Sequence, residues 1–574
     1  MSETAPKELP AKYYLDYFEY LLAFVERQYE PILTEREWDF IRRFRALSEE
    51  GRCLFIRMVN RQGTFFRAER LVYEEVQNVV ATLEELRLAG FVTHLCAAHE
   101  PEALEVLQLF TKPELTQFLP LLNLKVPGIS KYKKPELVAY LMASASFIAC
   151  EEVISNKETI VRQGFVEELE MLKFLFFGNI YGDMTEFVLR DLGNFRFEQF
   201  DESKFTPRFL SRKEADDKFV LSRTYLEFQE RREVQPAEEI FDWFIHWVTA
   251  QPAWEPSAQA VFDKMVLRLG ALLEKNRLLE QSLRIYQYTS QPPSYERQVR
   301  LLHKLKRFPE AMTLCERILA HPQNADEKFF AVDFTSRLEA ELFKELQKKK
   351  HAVLRKSTTN QLKSSDTIRV DAAFKYQVEQ GVIHYLAAHN QQAVHTENYL
   401  WCGFFGLLCW DIIFAEDHQA IHHPLQRAPS DLRTPQFLEK RQQALAERLE
   451  ILHNREAFTE LIEKVYVEKY GINNPLVGWH ESLLPLVLVF YEKLEPEQIK
   501  RVMLEMAQNL KENTRGFPDL FAWSDEDYCF IEVKSPNDHL SAQQLYWLQF
   551  FEEIGIRAKV LRVKWENSSA LEQE

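Results

Sequence analysis

Three charged residues near the end of the chain have the types and spacing for phosphoryl chemistry. They are Asp519 in GFPDLFAW (516–523), and Glu532 and Lys534 in YCFIEVKSPNDHLSAQQLYWL (528–548). Gly516 and Pro518 suit a turn that delivers Asp519 into a strand. FIEVK is rich in β-branched and aromatic residues, which predicts a strand. Side chains alternate along a strand, so Glu532 and Lys534 share one face and Val533 points the other way. Two carboxylates and the Val533 carbonyl make a hard oxygen site suited to Mg²⁺ or Mn²⁺. Such an ion stabilises the charge on a phosphate under attack and lowers the pKa of a bound water. Lys534 can orient that water or neutralise the transition state. Ser541 and Gln544 fit the S-x-x-Q capping box of a following helix. Gln544 therefore reads either as a cap or as a side chain turned back toward the site. A surface turn and a solvent-facing strand would carry the same charges, so spacing alone does not decide.

The wording around these residues resembles the PD-(D/E)xK nuclease superfamily. The continuation EVKSPNDHLSAQQLYWL is similar to its virus-type replication-repair (VRR) nuclease domain, whose members follow the Lys with Pro-Asn-Asp and a helix bearing a Gln and a Trp. Gln544 and Trp547 hold those two places.

Elements must position these residues, and composition bounds them. A chain of 574 residues is too long for one core, so three or four domains are expected. It is 46% hydrophobic with 43 Phe and only 16 Gly, which favours helices over tight-turned β architecture. No apolar run reaches 18 residues, so no membrane-spanning helix is expected. MSETAPKELPAKYY has no apolar signal core, so the expectation is a protein that is not secreted, cytoplasmic or nucleoid in a prokaryote and nuclear in a eukaryote. The seven cysteines form no CxxC pair, so no zinc finger is visible, and they read as reduced core residues. A net charge of −16 argues against nucleic acid unless basic surface is concentrated locally.

Three local segments meet that condition. Between Arg42 and Arg70 eight Arg, among them Arg52, Arg57 and Arg61, stand against three Glu and are interleaved with aromatics, a candidate phosphate-contacting face. Helices are expected at 113–123 and 135–142. They flank a loop with Lys131, Lys133 and Lys134, where a basic turn feeds a helix N-terminus. Residues 344–369 carry eight Lys or Arg, including Lys348, Lys349 and Lys350, and the STTN and SSD clusters read as loop. The N-terminal stretch predicts helices, a break at Gly90 and a strand, as in a winged module. From about 150 to 340 the pattern is helical with few strand signals. There LLEKNRLLEQSLRIY (272–286) aligns with LLHKLKRFPEAMTLC (301–315) at an offset of 29 residues, like degenerate tetratricopeptide repeats. LWCGFFGLLCWDIIF (400–414) reads as one buried helix, with Glu397 at its polar start and Asp411 making a structural hydrogen bond within it. A helical run 496–516 is expected to stop at Gly516.

In this order the segments resemble Fanconi-associated nuclease, in a prokaryotic-type form. The expected architecture is multi-domain and predominantly α. An N-terminal helical, winged-helix-like DNA-binding domain (1–105) is followed by a SAP-like motif (106–148), TPR-like helical repeats (149–370) and a C-terminal α/β VRR nuclease domain (371–574, motif core 450–566). The ubiquitin-binding zinc finger of the long eukaryotic form is not visible, which puts recruitment by ubiquitin in doubt. The resemblance implies that Glu397 completes a metal site with Asp519, Glu532 and the Val533 carbonyl. The cofactor is then one or two Mg²⁺ or Mn²⁺ ions, with Lys534 and Gln544 in catalysis. It implies a partner, a 5′-flap, branched or crosslinked DNA, and an activity, 5′-flap cleavage and 5′-to-3′ degradation in interstrand crosslink repair. It also implies a pocket for a 5′-terminal phosphate, for which Arg515 is the candidate. Monomer and homodimer are equally compatible with the sequence.

The rival readings are a Holliday-junction resolvase and a DNA-binding scaffold without activity. If 42–70, 131–134 and 344–369 line one groove, DNA affinity falls steeply with added salt. Anisotropy titrations across a KCl series measure the slope, and a flat response counts against the groove.

Overall fold

The computed structural model describes residues 9–125, 128–193, 195–251, 253–347 and 357–566. Two compact units divide the chain. The first comprises Met1–Asn194 with Pro207–Phe219, the second Phe195–Thr206 with Val220–Glu574.

In the first unit, the helices Tyr13–Tyr29, Glu35–Ala46, Glu49–Val59 and Val79–Leu88 start from polar caps such as Ser48 and Asn78. Their apolar stripes close on an aromatic cluster in which Phe55 and Phe91 pack edge-to-face at 4.8 Å. Two short strands, β1 (Phe65–Arg67) and β2 (Val92–His94), do not pair with each other. Both pair antiparallel with β3 (Ile160–Gln163), where Arg162 is opposite Phe65 on one side and Thr93 on the other. The expectation of an all-helical run from 150 is corrected here: IVRQ is the central strand of the wing. The SAP-like helices, Lys112–Leu121 and Lys134–Ser144, lie between β2 and β3 in sequence.

The second unit opens with helical repeats. The pair Pro256–Lys275 and Leu279–Tyr286 is followed by the pair Ser294–Lys304 and Phe308–Ala320. The 29-residue alignment is geometric as well as sequential. Arg277 and Lys306 occupy equivalent turns with positive φ, 63° and 59°. Ser282 and Ala311 are fully buried at the same place in each pair. STTN is not loop: Ser357–Ser364 is a helix, its Ser357 amide and hydroxyl bonded to Asp333. The basic residues Lys348, Lys349, Lys350, Arg355 and Lys356 lie outside the described residues.

The second unit also holds a five-stranded sheet built from β4 (Asp366–Asp371), β5 (Gln392–His395), β6 (Leu520–Trp523), β7 (Tyr528–Lys534) and β8 (Ala558–Glu566) in the order β4-β8-β7-β6-β5. β4, β8 and β7 run parallel; β6 and β5 are antiparallel to their neighbours. Helix Val378–Ala388 covers one face of the sheet. Helix Ala542–Ile554 packs on the other, where Trp547 and Phe551 join Phe530. The apolar run 400–414 is two helices, Tyr399–Leu408 and Trp410–Ile413, broken at Cys409. Asp411 closes a bidentate pair with Arg448 at 2.7 and 2.6 Å. The helix before the catalytic turn is Pro496–Gln508, so it stops well short of Gly516. Among the described residues no single helix is long and apolar enough to cross a membrane.

A fully buried arginine ties this unit together. Arg441 is 0% exposed, pairs with Asp431 at 2.9 Å and donates to the Ile412 carbonyl at 3.0 Å. Losing one partner strands the other charge in the core. Asp431→Ala should therefore destabilise the unit by about 3–5 kcal/mol, read as a lower urea midpoint by circular dichroism.

Candidate active site

The turn that carries Asp519 is fixed by packing. Gly516 has φ of 84°, and a Cβ there would approach Gln543 at 2.7 Å, so the position demands glycine. Phe517 stacks on Trp547 at 4.2 Å, and the Trp547 indole donates to the Arg515 carbonyl at 3.1 Å. The tryptophan thus clamps the loop rather than touching the chemistry. β6 then begins at Leu520, opposite Ile531 of β7, which places Asp519 beside Glu532.

Glu532 is fully buried and Lys534 nearly so, because both project from an inner strand toward helix Ala542–Ile554. Glu532 Oε1 accepts from Lys534 Nζ at 2.6 Å and from Gln544 Nε2 at 2.5 Å. Gln544 also caps its helix: its Oε1 accepts from the Ser541 amide at 2.9 Å, and its own amide donates to Ser541 Oγ at 3.1 Å. Both readings of Gln544 hold at once. Asp519 Oδ2 accepts from the Val533 amide at 2.7 Å. Glu532 Oε2 is buried with no hydrogen-bond partner. Burial, and next the charge of Asp519, push the Glu532 carboxyl up to about 8; burial likewise raises Asp519. The charge of Asp519 acts on Glu532, so the protonation of one acid depends on that of the other.

An orphaned buried carboxylate oxygen beside a second carboxylate is a donor set that a hard divalent cation would satisfy. The residues present fit such an ion. Among the described residues no cluster of three or more His, Cys, Asp or Glu forms a preassembled cage. Glu397 arrives at the site by its backbone: its amide and that of Thr396 donate to the Asp519 carbonyl at 2.9 and 2.8 Å. It holds a positive φ of 40°, a strained conformation for a glutamate, and its side chain is exposed.

Residues 12–93 match the family model "FAN1, HTH domain" and residues 454–565 match "VRR-NUC domain". A Fanconi-associated nuclease 1 homolog of Pseudomonas aeruginosa is 28% identical over 96% of this chain and 96% of its own length. Human Fanconi-associated nuclease 1 is 24% identical over 96% of this chain, which spans 62% of the human protein. The crystal structure of paFAN1 bound to 2nt 5′-flap DNA with a gap superposes with a TM-score of 0.82 and 27% identity, covering 98% of this chain and all of the other. The chain is similar to Fanconi-associated nucleases along nearly its whole length.

The basic residues are distributed differently from the sequence expectation. Arg42, Arg43, Arg45, Arg52, Arg57, Arg67 and Arg70 are all ion-paired within the first unit. Arg57 is also stacked on Tyr14 at 4.1 Å. Arg61 alone of the eight has no carboxylate partner among the described residues, and it stacks on Tyr73 at 5.1 Å. Arg42 and Arg43 pair within their own helix, while Arg45, Arg52, Arg57, Arg67 and Arg70 bridge to other segments. Lys131 and Lys133 are exposed, while Lys134 donates to the Gln108 carbonyl at 2.7 Å. Arg515 pairs with Glu512 and, at 3.6 Å, with Asp326, so its charge is already matched.

One residue near the candidate site was not anticipated. Glu379, in the first turn of helix Val378–Ala388, is near enough for its charge to raise Asp519 further. A first-turn glutamate is common in helices, and nothing in the sequence links positions 140 residues apart.

The sign of the Glu532 shift gives a pH test. Between its ordinary 4.5 and about 8 the folded chain keeps a proton that the unfolded chain has released. Metal-free stability therefore falls as pH rises through that window. Glu532→Gln removes this loss. The wild-type melting midpoint in EDTA should drop relative to Glu532→Gln on going from about pH 5 to about pH 8; parallel scanning-fluorimetry curves would refute the shift.

Proposed function

We propose that this chain is a structure-specific DNA nuclease that hydrolyses phosphodiester bonds in 5′-flap and related branched DNA, with 5′-to-3′ exonucleolytic action, in the repair of interstrand crosslinks. The observation that carries the reading is the Asp519–Glu532–Lys534–Gln544 cluster, held at the end of a five-stranded sheet. Its substrate class follows the 5′-flap DNA held by paFAN1.

Asp519, Glu532 and the Val533 carbonyl are the groups that would hold Mg²⁺ or Mn²⁺, with Glu397 joining by turning its exposed carboxylate inward. When bound, the ion supplies positive charge against the phosphate under attack. Lys534, held on Glu532, aims its remaining N–H donors at the attacking water. Gln544 keeps Glu532 oriented by its second function as the helix cap. The new bond runs from water oxygen to phosphorus. The P–O3′ bond breaks, the 3′ oxygen takes up a proton, and a 5′-phosphate remains. Uptake of a cation must displace the proton that Glu532 holds at neutral pH, so cation binding is coupled to proton release.

The decisive experiment compares wild-type, Asp519→Ala and Lys534→Ala proteins on 5′-flap DNA with Mn²⁺. Each variant should lose about 10²–10⁴-fold in kcat. Wild-type-like cutting by both would leave only a DNA-binding scaffold. Dominant symmetric cutting of a four-way junction by the wild type would instead make it a resolvase.

A further inference from the structure

The approach to the catalytic carboxylates carries an aromatic ring that the chemistry above does not use. Tyr376 is 93% exposed, the highest value among the exposed large hydrophobic residues described. A single exposed ring is ordinary on a surface, but this one is placed and held. It sits on a tight turn, not a loose loop. Asp371 caps the preceding turn by accepting from the Ala373 amide at 2.9 Å, and the Lys375 and Gln377 amides donate to the Ala372 and Phe374 carbonyls at 3.2 and 2.9 Å. Gly381 lets the following helix seat directly against Val370 and Phe374, which fixes the turn on the sheet.

Tyr376 lines a cleft of about 540 Å³ together with Phe374, Gln377, Glu379, Gln380, His384 and His395. The cleft adjoins the catalytic pair through the backbone. His395 is opposite Leu520 across β5 and β6, and the next two amides, Thr396 and Glu397, bind the Asp519 carbonyl. Lys375, on the same turn, is exposed and makes no ion pair among the described residues. The exposed tripeptide Lys375-Tyr376-Gln377 therefore presents a cation, an aromatic face and an amide at the rim of the site where a nucleic-acid strand must arrive. An aromatic face is uncharged, so it can hold a strand close to several carboxylates where a cation would be neutralised.

We infer that Tyr376 is a positioning residue of this nuclease: its ring stacks on the base left uncovered at the single-strand/duplex branch, next to the scissile phosphate, while Lys375 meets the adjoining backbone phosphate. Inside a duplex both faces of a base are already covered by its neighbours. A protein ring can stack only on an unpaired base or on the last pair at a branch. Tyr376 thus supplies a contact that intact duplex cannot make, at the active site itself. This inference rests on the nuclease reading above.

The test uses the full-length chain and 5′-flap DNA carrying 5-iododeoxyuridine at single positions around the branch. Irradiation without metal, followed by mass spectrometry, should place the crosslink on Tyr376 from a position at the branch, and Tyr376→Ala should abolish it. With Mn²⁺, Tyr376→Ala should raise KM roughly 5- to 100-fold for flap DNA, the range expected for one base-stacking contact. Its kcat should change little, Tyr376→Phe and Tyr376→Trp should restore KM, and the melting midpoint should stay at the wild-type value. Crosslinks that fall only on other residues, or a Tyr376→Ala protein with unchanged KM, would overturn the assignment. A wild-type protein that crosslinks through Tyr376 yet cuts nothing would sink the nuclease reading while leaving the stacking contact in place.

Discussion

Two carboxylates are buried against each other, and much of the second unit is arranged around that fact. Glu532 is fully buried on an inner strand, and Asp519 reaches it from the start of the neighbouring strand. Like charges at short range in a poorly solvated pocket cannot both ionise without compensation. The protein supplies part of it: the Lys534 ammonium, the Gln544 amide and the Val533 N–H. It leaves Glu532 Oε2 unanswered. Holding such a pair in place needs a rigid frame. The aromatic cluster of Phe517, Trp547, Trp401 and Phe530 provides it, since rings at 4.2 to 5.6 Å leave the turn little room to relax.

That frame explains why the convergence of Asp519, Glu532, Lys534 and Gln544 was legible in the sequence and much around it was not. Asp519, Glu532, Lys534 and Gln544 fall within 26 residues. Their relation follows from short-range rules: a glycine turn, the two-residue period of a strand, and a capped helix start. Where pairing is long-range, local reading failed. IVRQ at 160–163 is too short to declare itself a strand, and it pairs with segments some 70 and 95 residues earlier in the chain. STTN carries turn-type residues, yet an acceptor on a distant helix, Asp333, makes it a helix start. Glu379 belongs beside Asp519 only because its helix packs across the sheet. The repeats lie between these cases: their sequence similarity is weak, but the paired left-handed turns at Arg277 and Lys306 show the same unit built twice.

Electrostatics separates composition from function in a similar way. With a net charge of −16, most arginines of the first unit meet glutamates from other elements. Counting basic residues in a window therefore overstates the positive surface. What stays open to a phosphate is set by tertiary pairing, as with Arg61, Lys131 and Lys133, and not by local density. Specific recognition on such a surface must draw on contacts other than bulk charge, such as stacking and shape.

The contrast between frame and site has a thermodynamic reading. Elsewhere in the second unit some buried charges are paired inside the protein, as in the Arg441–Asp431 and Lys469–Glu198 pairs. At the Asp519–Glu532 pair the matching is incomplete: Glu532 Oε2 has no partner, and burial favours the protonated form of Glu532. A proton is a poor substitute there, because it neutralises a single carboxyl and leaves the second acid and the incoming phosphate uncompensated. A divalent cation answers all three together. The fold thus keeps the two acids rigidly in a geometry that is unfavourable alone and that, on the proposed function, a cation and a phosphate would relieve. The interaction free energy of those ligands is then realised where bond breaking occurs, and not in reorganising the protein.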